Sequence, residues 1–438
     1  MIDILLWPAI IKILAAFIVI FLLSRRFPLQ IGLLAAIILL GFSSDKDLAW
    51  IVSSGLKHIF ASDSLWLYGI VCLILILSSI LQDTGQLQQI VRSFEQVFSD
   101  KRIIAVILPS LIGLLPMPGG ALFSAPMVEE ALSSSDPQKK ATPVQKMVVN
   151  YWFRHAWENW WPLYPGMILA LHLMKVPAWQ FLPAMLPLFF AAIIGGVLFT
   201  LSKIPFSKTS KIPHKKSYIE LFKPIFPVVL LVAIFLFLLA FLEVIHTIFP
   251  GEHLSGLVSL YRSRNYFSFF VAVLASLLFL IWQKNISCSQ IKTTVRRAKV
   301  LPLLSMIMLI MVFKGILQDS NIIEQLKSEF TAYHIPTGII IGLVPFVAGA
   351  VIGLAVGFVG ISFPLVLSLI PADHSLPYVV LAYSMGFLGM MVSPAHLCLV
   401  VTKEYFKADL LQIYGQILRL VGFNFLVTVL IFWVYFVL

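Results

Sequence analysis

The sequence predicts an all-α polytopic membrane protein: two inverted repeats of five transmembrane helices, each with a re-entrant hairpin and a broken helix. Three observations predict it. The 438 residues are 60% hydrophobic and only 12% charged, with a mean hydropathy of +0.97, where soluble domains carry about 25% charged residues. A polar signature, ILQDTGQLQQIVRSF at 80–94, returns as ILQDSNIIEQLKSEF at 316–330. Finally, proline and glycine interrupt apolar segments at matching places in the two halves.

Composition excludes several classes. The longest polar stretch, Ser202 to Ser217, is too short to bury a soluble core. No signal peptide is expected, because Asp3 is the first charge and Arg25-Arg26 follows the first apolar run. Spanning helices are expected at roughly 3–23, 27–42, 64–82, 144–174, 177–201, 219–247, 266–282, 300–318, 377–403 and 409–438. With Arg25-Arg26 in the cytoplasm, about 20 Lys and Arg fall in cytoplasmic loops and about 6 outside. The net charge of +11 is therefore topogenic, and nucleic acid is not an expected partner. Lys203 to Lys216 and Lys284 to Lys299 form the large cytoplasmic loops, and both termini fall outside. Cys72, Cys288 and Cys398 lack metal-site or pairing spacing and read as packing residues.

The repeat divides the chain into a first copy at 1–202, a basic linker at 203–218 and a second copy at 219–438. IGLLPMPGGALF (112–123) aligns with IGLAVGFVGISF (352–363), setting Gly113 on Gly353 and Gly120 on Gly360. WWPLYPGMILALHLMK (160–175) aligns more weakly with VSPAHLCLVVTKEYFK (392–407), setting Pro162 on Pro394. Five helices per copy is an odd number, so the second copy must be inverted. The charges agree: Arg92, Lys101 and Arg102 lie in or just past the first signature, whereas Asp319, Glu324 and Glu329 accompany the second, with Lys327 alone opposing them. Inverted repeats give secondary transporters their two access states. Each signature ends the third helix of its copy and continues as an amphipathic helix along the interface.

Between the third and fourth helices lies a segment that cannot be one helix. Arg102 to Leu132 holds Pro109, Pro116, Pro118, Gly119, Gly120 and Pro126, and basic or acidic residues flank it on one side. Irregular backbone at this depth must be covered by protein or line a cavity, so a re-entrant hairpin with its tip near Pro116 to Ala121 is expected. The second hairpin spans about 337–370, with its tip near Gly357 to Ser362. Such tips offer helix N-termini to anions and carbonyls to cations; the alternative is close helix packing, since Gly353-x-x-x-Gly357 is a small-residue motif.

The next helix carries NYWFRHAWENWWPLYPG at 150–166. Val144 to Met174 would measure roughly 46 Å at about 1.5 Å per residue, against a hydrocarbon core near 30 Å, and Pro162 and Pro165 should break it. Arg154, His155, Glu158 and Asn159 then sit near the middle of the membrane, where charge is expensive and usually functional. Arg154 and Glu158, four residues apart, share a helix face. One reading makes Arg154 an anion-binding fork, with Glu158 or His155 as the protonatable site; the other makes the pair a self-neutralising brace. Trp157, Trp160 and Trp161 are expected to line a cavity. In the second copy Ser393-Pro394 should break the helix, with His396 just beyond, and Arg and Glu are missing there. The site is asymmetric.

The two copies, each with three helices, a hairpin, a broken helix and a closing helix, resemble the ion transporter superfamily. That group includes gluconate, citrate and dicarboxylate carriers and sodium–proton antiporters. LPMPGGALFSAPMV and NYWFRHAWENWWPLYPG look like the prokaryotic integral membrane proteins grouped as domain of unknown function 401. The resemblance implies that hairpin tips and helix breaks meet at the substrate and ion sites: Pro116 to Ala121, Ser124, Glu158 to Pro165 (with Tyr164), Gly357, Gly360, Ser362 and Ser393-Pro394. Dicarboxylate carriers place a Ser-Asn-Thr-like triplet at each tip. Neither tip here has one, a departure that leaves sodium coupling and dicarboxylate specificity open.

The expected function is ion-coupled secondary transport of a small anionic, carboxylate-bearing solute, with a cation–proton antiporter as the alternative. No organic cofactor is expected; the coupling ion is Na⁺, held at the hairpin tips, or H⁺. The expected setting is a prokaryotic inner membrane, with lipid, solute and a second copy of the chain as partners. Without HExxH, a nucleophile elbow or paired catalytic carboxylates, an enzyme is not expected. The topology has a direct test. Single cysteines in the 204–216 loop should be shielded from a membrane-impermeant thiol reagent in whole cells, and cysteines at 251–253 should react. The opposite pattern would overturn the inverted arrangement.

Overall fold

The computed structural model describes residues 7–86, 89, 98, 100–114, 120–133, 141–174, 176–205, 216–248, 264–297, 300–371 and 374–437. Within them the protein is all-α, and helix ends explain much of the segmentation. Pro8 and Pro28 sit at the N-caps of α1 (Ala9–Ser24) and α2 (Leu29–Ser43), where a proline removes no intrahelical donor. Asp47 caps α3 (Leu48–Ile59), accepting from the Trp50 N–H at 2.7 Å. α4 (Ser62–Asp83) ends on the first signature. Asp100 caps α5 (Lys101–Gly113), and α6 (Gly120–Ala131) packs beside it. A Thr142–Gln145 capping box with Pro143 in first place starts α7 (Pro143–His155). A 3₁₀ turn (Ala156–Asn159), α8 (Pro165–Leu173) and α9 (Ala178–Phe199) complete the first half.

The second half repeats the order. α10 (Lys216–Ile248) and α11 (Arg264–Gln283) are followed by the short amphipathic α12 (Cys288–Arg297) and then α13 (Val300–Asp319). α14 (Ile322–Ala332), α15 (Thr337–Ile352), α16 (Ala355–Val366), α17 (Ser375–Val392), α18 (Leu397–Phe406) and α19 (Leu410–Val437) follow. Among the described residues, seven helical stretches are long and apolar enough to cross a membrane: α4, α9, α10, α11, α13, α17–α18 and α19. α1 and α2 are apolar but shorter. On α1 the buried residues Ala9, Ile13, Ala16 and Ile20 form one stripe, while Leu14, Ile18 and Leu22 are exposed. A helix apolar on every side is one that meets protein on one face and lipid on the other.

Packing between the halves is reciprocal. α3 lies against α13, and α12 against α4; α2 meets α13 as α11 meets α4; α6 meets α18 as α16 meets α8. The two signatures take part in this exchange. The Asp83 carboxylate accepts from Thr294 Oγ1 on α12 at 2.7 Å, and Asp319 accepts from Ser54 Oγ on α3 at 2.9 Å. Asp319 also faces Lys57 at 3.4 Å and His58 at 3.1 Å. The spans expected from sequence leave out α3, and α12 lies within the expected basic loop at 284–299.

Two boundaries differ from expectation. The second hairpin turns at Gly353-Leu354, where Gly353 has φ +68° and its N–H closes α15 on the Gly349 carbonyl. Gly357, Gly360 and Ser362 therefore lie inside α16 and not at its tip. The first broken helix stops at His155, ahead of Pro162, because the chain tightens into the 3₁₀ turn. In the first hairpin, Pro116, Pro118 and Gly119 lie outside the described residues.

Glu329 ties the second half to the start of the first: its two carboxylate oxygens accept from the Ala9 N–H at 2.6 Å and the Ile10 N–H at 2.9 Å. Pro8 supplies no capping oxygen, so Glu329→Ala should destabilise the protein by about 1–2 kcal/mol. A lower apparent Tm in detergent is the readout, with exposed Glu404→Ala as a control expected to leave it unchanged.

Candidate functional site

The site grows from one face of α7. Lys146, Asn150 and Arg154 recur every four residues and point toward α6. Lys146 Nζ pairs with Glu129 at 2.6 Å, and Asn150 Nδ2 donates to the Ala121 carbonyl at 2.8 Å. Arg154 reaches the head of α6 because residue 120 is glycine: a Cβ there would stand 2.8 Å from Nη2 and 2.9 Å from Nε. Ser124 turns inward on its own helix, donating to the carbonyls of Gly120 and Ala121.

Beyond Arg154 the chain leaves the α-helix, and the 3₁₀ turn brings Glu158 back under the guanidinium. Arg154 Nη1 is 3.6 Å from Glu158 Oε1, and His155 Nε2 is 3.8 Å from the same oxygen. The Arg154 guanidinium donates to His155 Nε2 at 3.1 Å, while His155 Nδ1–H donates to the Tyr151 carbonyl at 2.6 Å. One ring nitrogen accepts and the other donates, so His155 is neutral. Every one of these groups is buried.

The second half closes the site. α17 ends at Val392 and α18 begins at Leu397, leaving Ser393 to His396 between them. His396 packs edge-on to His155 with ring centroids 4.7 Å apart, and Cys398 Sγ lies 3.7 Å from Arg154 Nη1. A cavity of about 220 Å³ lies among these elements. Arg154, Glu158, Tyr164, His396 and Cys398 face it together with Gly353 and Leu354 from the second hairpin's turn. The ends of both broken helices and one hairpin turn thus share a cavity, and the head of α6 adjoins it through Gly120.

The breaks are sealed by tyrosines exchanged between halves. Tyr383 of α17 donates to the Glu158 carbonyl at 2.9 Å, and Tyr151 of α7 donates to the Met391 carbonyl at 3.0 Å. Tyr164 donates to the carbonyl of Gly113, whose lack of a side chain lets α5 lie against the Arg154 carbonyl.

Other expected residues fall elsewhere. Gly360 packs on Ile310, Gly357 on Ile352, and Ser362 Oγ donates to the Phe358 carbonyl at 2.6 Å; none lines the cavity. Ser393 is buried and caps the short turn before His396 through the Ala395 N–H. Asn159 is buried just past Glu158, outside the cavity lining. The three tryptophans do not line the cavity either: Trp157, Trp160 and Trp161 cluster with one another, and Phe189 of α9 packs at a tilt against the first two. Cys398, read from sequence as packing, faces the site. His155, His396 and Cys398 place possible metal-ligand atoms within 4.8 Å of one another. The Arg154 guanidinium already lies against two of them, so the set holds a protein cation.

A family profile described as Protein of unknown function (DUF401) matches residues 9–249 and 240–438. The chain belongs to the DUF401 family. No curated protein matches it. For this DUF401 member, the polar groups at the two helix breaks give a stability test. Tyr383→Phe and Tyr151→Phe each leave a buried carbonyl without its donor, at a cost of about 1–3 kcal/mol. Both should lower the apparent Tm in detergent, whereas Tyr405→Phe, 39% exposed, should not.

Proposed function

We propose that the protein is an ion-coupled secondary active transporter of a small, carboxylate-bearing anion, working by alternating access between two inverted halves. One observation carries the proposal: both helix breaks converge with a hairpin turn on a cavity that holds a buried arginine and a buried glutamate. Discontinuous helices meeting near the middle of a membrane protein are how many secondary transporters build their sites. The reciprocal packing of the halves supports inversion, and a planar guanidinium suits a carboxylate better than a point charge does. Under this reading α5–α6 and α15–α16 are re-entrant hairpins, and the fold belongs with the ion transporter superfamily. The setting is a prokaryotic inner membrane, with residues 9 and 437 on the extracytoplasmic side.

The second reading is a cation–proton antiporter, favoured by Glu158 facing the same cavity as Arg154. There Glu158 exchanges a proton for a cation and Arg154 is structural. A thermal-shift screen of small acids, each with and without sodium, comes first, since a ligand of the native state raises its apparent stability. Flux of the best acid into proteoliposomes then separates the readings. For anion transport, Arg154→Lys should reduce binding at least roughly tenfold, as a bidentate fork becomes a point charge. Glu158→Gln should mainly remove the response to a proton gradient. For an antiporter, Glu158→Gln abolishes exchange and Arg154→Lys is tolerated. Full activity in both variants would leave the pair a structural brace.

A further inference from the structure

The cavity's walls and charges narrow the solute further. Facing the polar groups are Leu75 of α4, Leu303 of α13, Leu354 at the turn before α16, and Met390 and Leu397 around the second break. The volume of about 220 Å³ corresponds to roughly seven waters at about 30 Å³ each. The cleft opens past Leu354 and Leu397, which are largely exposed, so this is the space at its polar end, enough for a carboxylate and a few carbons.

Among the described lining residues Arg154 is the one Lys or Arg and Glu158 the one carboxylate. The groups facing Glu158 are Arg154 at 3.6 Å and His155 at 3.8 Å, with Tyr164, His396 and Cys398 around the same cavity. Arg154 and Glu158 together are neutral. A carboxylate entering the cavity adds a negative charge with no partner, and a buried charge without a partner is strongly disfavoured. A proton on Glu158 removes the conflict: the protonated carboxyl becomes a hydrogen-bond donor, and the Arg154 charge then balances the incoming carboxylate. A second carboxylate on the same solute would lie against leucines.

We infer that the cavity takes a short-chain monocarboxylate together with one proton, so that the loaded carrier gains no net charge. This deepens the transporter reading and rests on it. The test uses the purified full-length protein and measures thermal shifts with butanoate, hexanoate, succinate and the neutral butanamide at about pH 5.5 and about pH 7.5. Butanoate and hexanoate should raise the apparent Tm by several degrees, more at the lower pH, while succinate and butanamide leave it unchanged. Glu158→Gln, which mimics the protonated carboxyl, should retain the butanoate shift and lose its pH dependence; a merely structural Glu158 would not produce that split. Leu303→Ala should move the preference toward hexanoate, and it stands as the second variant if Glu158→Gln does not fold.

A succinate shift as large as that of butanoate overturns the monocarboxylate assignment while leaving an anion carrier. A butanoate shift equal at both pH values in the native protein overturns the proton. If no acid shifts the Tm at either pH, the proposal fails together with the anion reading, and a shift with sodium chloride over choline chloride then selects the antiporter.

Discussion

A backbone carbonyl inside a bilayer has no water to accept from, and this protein interrupts two helices in its buried interior. The interruptions persist because each half lends a tyrosine hydroxyl to the other's break: Tyr383 to Glu158, and Tyr151 to Met391. Much else follows from that exchange. To deliver Tyr383, α17 must lie beside the 3₁₀ turn, and α7 must lie beside α18. That adjacency sets His155 against His396 and Arg154 against Cys398. The site is a by-product of how the two breaks satisfy one another.

Space at the site is set by residues without side chains. Gly113 and Gly353, matched in the repeat, each let a hairpin approach the backbone of its own broken helix: Gly113 meets the Arg154 carbonyl, and Gly353 meets Ala395 and His396. Gly166 does the same between halves, where α8 touches Ala355. Gly120 differs from these, because what it admits is the Arg154 guanidinium. Its helical place in the second half is taken by Ala355, and no arginine follows there. The chemical asymmetry thus rests on small differences laid over a shared backbone plan.

Polar residues stand out in an apolar chain, which is why Arg154, Glu158 and His396 were legible as a site. Charge and polarity are expensive in lipid, and the structure brings all three to one cavity. Positions defined by backbone geometry were harder to read. The gapless match of Gly120 to Gly360 placed the second turn too late: α6 and α16 have equal lengths, but the link before α16 is only Gly353-Leu354. The tryptophans were misread because size alone does not say which side of a helix faces a cavity. Tyr151 and Tyr383 carried a signal that went unused, since they sit 232 residues apart, the spacing that also relates Pro162 to Pro394. The recurring ILQD ends α4 and α13 as expected. Its aspartates also accept from hydroxyls at 54 and 294, in the short helices α3 and α12 that the hydropathy pattern passed over.

The cap that Glu329 places on α1 bears on how the chain is made. α1 emerges before every other described helix, yet its opening amides find their acceptor 320 residues later. Ser54 likewise reaches its partner 265 residues on, and Tyr151 reaches its partner 240 residues on. Contacts this distant in sequence form slowly, because a long loop must close before any bond rewards it. The first half therefore cannot complete itself while the second is still on the ribosome. It must be held in the membrane with its polar groups only provisionally satisfied, and the two repeats, alike as they are in plan, mature as one unit.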